Sequence, residues 1–231
     1  MSAAGWEPHE ALIRELTAEL RPVRRLWSPP WRTAVWAAVL VVAAGGLACV
    51  SDLHAIWLRL TGASDMWLAV VGSVVTALTA GLAAFELSLP DRSRAWALLP
   101  LPGLALWLGA SGMGCLRTTL IPAARMPTMG EESHCLMFIV GVSVPLSLLL
   151  LAMLWRARPL RPGPVAAMGG LAAAAAAASL LSFIHPYDVA ASDLVFHTVA
   201  VGIVILIVRA LGGRALGAPT SSGSGRMRRR G

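Results

Sequence analysis

Two cysteines, Cys115 and Cys135, stand at the two ends of the longest polar interruption between apolar runs in this chain. Paired thiols of this kind can be oxidised to a disulfide or can share a thiophilic metal ion, the thiolate being the reactive form in both cases. His134 precedes Cys135, and the apolar run that starts at Leu136 predicts that Cys135 begins a helix, where the dipole favours a thiolate. Cys115 ends the preceding apolar run two residues before Arg117, while Glu131 and Glu132 oppose ionisation nearby. If the two helices are adjacent and antiparallel, the sulfurs share one depth, and a disulfide needs Cα atoms within about 7 Å. The competing reading is that both cysteines are small packing residues in alanine-rich helices. Cys49 lies in an apolar context and reads as packing.

Three histidines extend the set. His134, His185 and His197, with Cys115 and Cys135, are the possible ligands of a soft or borderline metal ion. His185-Pro186-Tyr187-Asp188 is equally an ordinary turn, whereas His197 stands about a turn inside an apolar run, where an imidazole is costlier. Glu86 is the only acid within an apolar run, and pairing with Arg92 or Arg94 gives it a structural role. The chain has no phosphate-binding glycine loop, no His-Glu-x-x-His, no Gly-x-Ser-x-Gly and no Cys-x-x-Cys, which argues against an enzyme. No resident cofactor is required; a heavy-metal ion held transiently at Cys115 and Cys135 is the one candidate.

The elements that must carry these residues follow from composition. Of 231 residues, 57% are hydrophobic and 13% charged, about half the charge of a soluble domain. Runs of eighteen or more apolar residues recur, each able to cross a hydrocarbon core about 30 Å thick. The expectation is an all-α polytopic membrane protein with six transmembrane helices near 33–50, 66–87, 95–113, 136–155, 165–184 and 194–211. The fifth is the least apolar, but Gly169, Gly170 and the alanines 172–178 suit close helix packing. Pro100 and Pro102 can break the third, yet no second broken span matches it as a transporter's repeat would require.

Residues 1–32 form a charged segment before the first span, too long and too acidic for a signal peptide. Leu12, Ile13, Leu16 and Leu20 share one face of a helix that Pro8 starts and Pro22 stops, while Pro29 and Pro30 break the chain before the first span. From Glu7 to Glu19 there are four glutamates and one arginine, so this helix is suited to a basic protein surface rather than to a bilayer. Residues 212–231 form a Gly/Ser-rich basic tail, expected to be disordered.

All nineteen basic residues are arginine. Sixteen fall in the two termini and in the second and fourth loops; Arg59, Arg117 and Arg125 fall on the other side. That bias predicts both termini in the cytoplasm and the 115–135 stretch outside. Arginines dispersed over short loops set topology rather than bind nucleic acid, so no direct nucleic-acid contact is expected. Oligomeric state has no signature in the sequence.

Three features together resemble a known family: Leu20-Arg21-Pro22-Val23-Arg24-Arg25-Leu26 before the first span, the stretch Leu87 to Pro100 entering the third, and Gly114-Cys115 answered by His134-Cys135, with His185-Pro186 and His197 further on. The chain is similar, over residues 8–212, to the six-span bacterial membrane anti-sigma factors of the negative-regulator-of-sigma-F type. The resemblance implies an inner-membrane protein that sequesters an extracytoplasmic-function sigma factor and releases it under oxidative or heavy-metal stress. It implies sensing by Cys115 and Cys135, and the acidic helix bearing Leu12, Ile13, Leu16 and Leu20 is the matching sigma-binding element. The rival readings are a thiol- or haem-dependent membrane redox protein, for which only His197 lies inside a span, and a small-molecule or metal transporter.

Overall fold

A computed structural model of the chain describes residues 7–18, 25–62, 64–120, 129–184 and 191–217; within its helices, some side chains near 115–136 and 191–197 fall outside the description. The regular elements among the described residues are all helices, without a strand. Six helical segments are long and apolar enough to cross a membrane: Pro29–Val50, Ser64–Leu87, Arg94–Gly114, Met137–Trp155, Pro162–Leu181 and Thr198–Gly217.

Helix α1 (Glu7–Ala18) precedes the bundle, with every described side chain from His9 to Ala18 exposed. Helix α2 (Pro29–Val50) has Pro29 and Pro30 as its first two residues. They start the span rather than break the chain ahead of it, because the first N–H groups of a helix have no intrahelical acceptor and proline's φ suits the first turn. A ten-residue helix that the apolar pattern did not announce, α3 (Leu53–Gly62), follows, with Asp52 Oδ1 accepting the Ala55 N–H at 3.0 Å. It buries Ile56 and leaves Leu53, Trp57 and Leu58 exposed.

Helix α4 (Ser64–Leu87) leads through a 3-10 turn (Arg94–Leu98) into α5 (Leu101–Leu120). Pro100 and Pro102 therefore flank the start of α5 and do not interrupt it. Helix α6 (Met129–Trp155) contains Pro145, and α7 (Pro162–Leu181) follows a short turn. Helix α8 (Ala191–Ile207) runs through a π-turn (Val208–Gly212) into the single turn α9 (Gly213–Gly217).

The bundle is organised on α7. It packs against α4, α6, α8 and the π-turn, and less extensively against α2 and α9. Of its span window 78% of residues are buried, against 6% for α2; its mean hydropathy of 1.7 is low, but the third span, at 1.3, and not the fifth as expected, is the least apolar. Small side chains explain the burial of α7, since helices in hydrocarbon associate by close packing and not by hydrophobic exclusion. A Cβ on Gly170 would come within 3.1 Å of Ile205 Cα on α8. The α4–α5 crossing is tighter still: a Cβ on Gly72 would lie 2.5 Å from the Trp107 backbone nitrogen, and one on Gly103 2.9 Å from that of Thr76. Ser73 and Ser179 join α4 to α7 through a hydroxyl–hydroxyl bond of 2.8 Å.

Candidate functional site

Three regions of the molecule carry the residues of interest. The first is α1. Leu12, Ile13 and Leu16 are 52%, 58% and 62% exposed, an apolar stripe on an otherwise charged helix that makes no extensive contact with another element among the described residues. Arg14 and Glu10, four residues apart, approach to 4.0 Å on its polar side, and Thr17 Oγ1 donates to the Ile13 carbonyl at 2.7 Å. Leu20 lies outside the described residues.

The second region is the thiol end. Cys115 belongs to α5, which continues five residues further to Leu120, so the cysteine does not end the helix. Cys135 belongs to α6, which begins at Met129, six residues earlier. It therefore does not begin its helix as expected, and the dipole argument for its thiolate fails, because that effect is confined to the first turn. The first turn holds Glu131 and Glu132 instead, and carboxylates are the charges a helix N-terminus favours.

Nor do the cysteine-bearing helices pack as an adjacent pair in the described residues: α5 leans on α4 and α8, while α6 leans on α7 and α8. Helix α8 stands against both. The side chains of Cys115, His134, Cys135 and His197 lie outside the description, as does all of His185. Among the described residues no three His, Cys, Asp or Glu side chains converge. Cys49 is exposed at the end of α2, not packed in the core.

The third region was not foreseen. At the opposite end of the bundle, Arg32 is 4% exposed, inside the first turn of α2. Its guanidinium donates through Nη2 to the Met153 carbonyl near the end of α6 and lies 4.3 Å from the centroid of the Phe85 ring on α4. One arginine thus joins α2, α4 and α6. Trp36, one turn on, is fully buried, and a Cβ on Gly81 would lie 3.4 Å from its ring. Neither Arg32 Nη1 nor Trp36 Nε1 has a hydrogen-bond acceptor among the described residues.

Beside this contact, Glu86 is 5% exposed, and the Nε of Arg92, the first of its two expected partners, lies 3.0 Å from its Oε2. The N–H of Arg92 is not aimed at that oxygen, so the contact is an ion pair without an aligned hydrogen bond. The sequence offered one signal for Arg32. Arginine and tryptophan four residues apart share a helix face, and a face presenting both is an unusual one to turn to lipid.

A family model described as negative regulator of sigma F matches residues 16–217. The match runs through α9, beyond the 8–212 expected from the motifs at its far end, and begins within α1, so that Leu16 and Leu20 fall inside it and Leu12 and Ile13 before it. No curated protein and no solved structure matches the chain.

Proposed function

The chain belongs to the negative-regulator-of-sigma-F family, and from that premise we propose that it is a membrane anti-sigma factor which holds an extracytoplasmic-function sigma factor through α1 and releases it when the thiols of Cys115 and Cys135 react. A regulator's role, not an enzyme's, is what the family implies. The observation that carries the binding half is the open face of α1. Three large aliphatic side chains, each more than half exposed, sit on a helix too short to be stable alone. The acidic residues around that face complement the basic surface by which a sigma factor meets DNA.

Placement in the bilayer is supported by the six apolar helices and by outward-facing Val41, Val42, Leu148 and Leu206, which make a surface too apolar for water. The arginine bias orients it with α1 and the Arg32 end in the cytoplasm and the cysteines outside, in the bacterial inner membrane.

In this reading α6 is the transmitting element. It carries Cys135 near one end and the Met153 carbonyl that holds Arg32 near the other, about 27 Å apart at 1.5 Å per residue. Pro145 lies between them and removes one backbone hydrogen bond, leaving α6 a place to bend. A shift in α6 on thiol oxidation or metal capture moves Arg32, hence the start of α2 and the tether to α1. Inverting a bound-to-free ratio from 99:1 to 1:99 needs about 5.5 kcal/mol. A dithiol couple displaced by about 120 mV from its surroundings supplies that much.

The test is co-purification. Detergent-solubilised full-length protein, co-expressed in turn with each extracytoplasmic-function sigma factor of its source, should retain one of them, and Leu12→Glu with Leu16→Glu should abolish retention. Equal retention by the variant overturns the binding role of α1. Separately, Cys115→Ser with Cys135→Ser should keep basal repression of the cognate promoter and lose its induction by cadmium or oxidant. Normal induction in that variant removes the sensing half.

A further inference from the structure

A groove of about 450 Å³ lies at the Arg32 end of the bundle, between the start of α7 and the π-turn after α8. Its walls are apolar, formed by Pro162, Leu206 and Ala210, and two guanidinium-bearing residues, Arg209 and Arg214, line it as well. We propose that this groove binds an anionic phospholipid, with the headgroup phosphate held between Arg209 and Arg214 and the acyl chains laid along α8.

The π-turn is what makes the pair. In a continuous α-helix, residues five apart point about 140° away from one another at 3.6 residues per turn. The wider turn at Val208–Gly212, with its i to i+5 hydrogen bonding, contains Arg209 and ends two residues before Arg214, and both arginines line one groove. The backbone is built for close approach here: a Cβ on Gly213 would lie 3.4 Å from Gly163 Cα, so α7 and α9 meet through two glycines.

Charge and hydropathy then select the occupant. Both arginines are exposed, and among the described residues neither is within ion-pair distance of an acid; Glu86, the buried acid at this end, is taken by Arg92. Below the arginines, toward the middle of the span, Leu206, Ile207 and Ile203 face outward at 64%, 50% and 40% exposure. A ligand that fits has a negative head at the helix end and a long apolar body directed into the bilayer. An acidic peptide satisfies the head and not the body. Basic pockets between helices on the side where arginines collect are the usual places for anionic headgroups.

The proposal rests on the placement of the bundle in a bilayer, and sigma-factor binding plays no part in it. Native mass spectrometry of the full-length protein in detergent with equal phosphatidylglycerol and phosphatidylcholine tests it. Phosphatidylglycerol adducts should exceed phosphatidylcholine adducts about thirty-fold, equivalent to about 1 kcal/mol for each arginine. Arg209→Gln with Arg214→Gln should remove that preference, whereas Arg94→Gln, an exposed arginine at the same end that does not line the groove, should keep it. Equal adducts in the unaltered protein, an undiminished preference in the double variant, or full displacement by inorganic phosphate each overturn the proposal. Sigma-factor retention, measured on the same samples, reports separately on the anti-sigma reading and should be unchanged by the double variant.

Discussion

Helices α1 and α7 are built from opposite materials and meet opposite fates. Helix α1 presents Leu12, Ile13 and Leu16, side chains that gain most from leaving water, and every one of them is exposed. Helix α7 presents chiefly alanine and glycine, which gain little, and Ala172 to Ala177 are buried almost completely. Hydrophobicity does not rank these two helices by burial; what they can approach does. A small-residue surface lets several helices close on α7 at backbone distance, and in hydrocarbon that packing is the force that assembles a bundle. A large-residue stripe on a short charged helix cannot join that interior and waits for a surface of its own. The contrast separates a helix that holds the molecule together from one that takes the molecule to something else.

Crowding α7 should have the largest effect. Gly170→Leu pushes a branched side chain toward Ile205 Cα and Val208, and should lower stability by about 3 kcal/mol, read as an earlier thermal transition in detergent. An unchanged transition would mean that α7 is not the packing centre. The adjacent glycine sharpens the point. A Cβ on Gly169 meets only Leu154 Cδ1 at 3.8 Å, an ordinary contact, so Gly169→Ala should raise stability by about 0.4–1 kcal/mol through the unfolded state.

Ser179→Ala removes the 2.8 Å hydrogen bond from α7 to Ser73 on α4 and should cost about 0.6 kcal/mol, the average for such bonds between membrane helices. The smallest effect belongs to α1. Leu12→Ala with Leu16→Ala should shift the thermal transition by less than the equivalent of about 0.5 kcal/mol, as at any exposed site, while weakening sigma-factor retention. A large loss of stability there would show that α1 packs on the bundle after all and would erase the contrast.

Much of this was legible in the residues. The six apolar runs located six helices to within a few residues, because spanning length and hydropathy are local properties. The amphipathic period of α1 and the pairing of Glu86 with Arg92 were equally local, one a helix repeat and the other a reach of six residues. The alanine run of α7 announced close packing. Helix α3 escaped because ten residues, with Ile56 the one buried among the described side chains, leave no span-length signal. The starts of α2 and α6 were misplaced for a shared reason. Helix initiation follows proline and carboxylate preferences in the first turn, at Pro29 and Pro30 or at Glu131 and Glu132, and ignores where apolarity begins.

Arg32 marks the boundary between the two kinds of knowledge. Its sequence neighbourhood says that a positive charge precedes a span, which sets orientation, and that it shares a helix face with Trp36, but not what that face meets. That it is buried, donates to Met153 on α6 and covers Phe85 on α4 depends on three helices from distant parts of the chain arriving at one place. The same holds for Arg209 and Arg214, whose shared groove exists only because a π-turn and the start of α7 meet. By itself the sequence determined what each segment is: six helices fit for a bilayer, an acidic amphipathic helix before them, and two thiols in one polar stretch. Which segment sits at the centre, that Arg32 is buried and which helices the described parts of α5 and α6 lean on were decided by tertiary structure alone. Local composition sets what a helix can touch, and only the simultaneous packing of all six sets what it does touch.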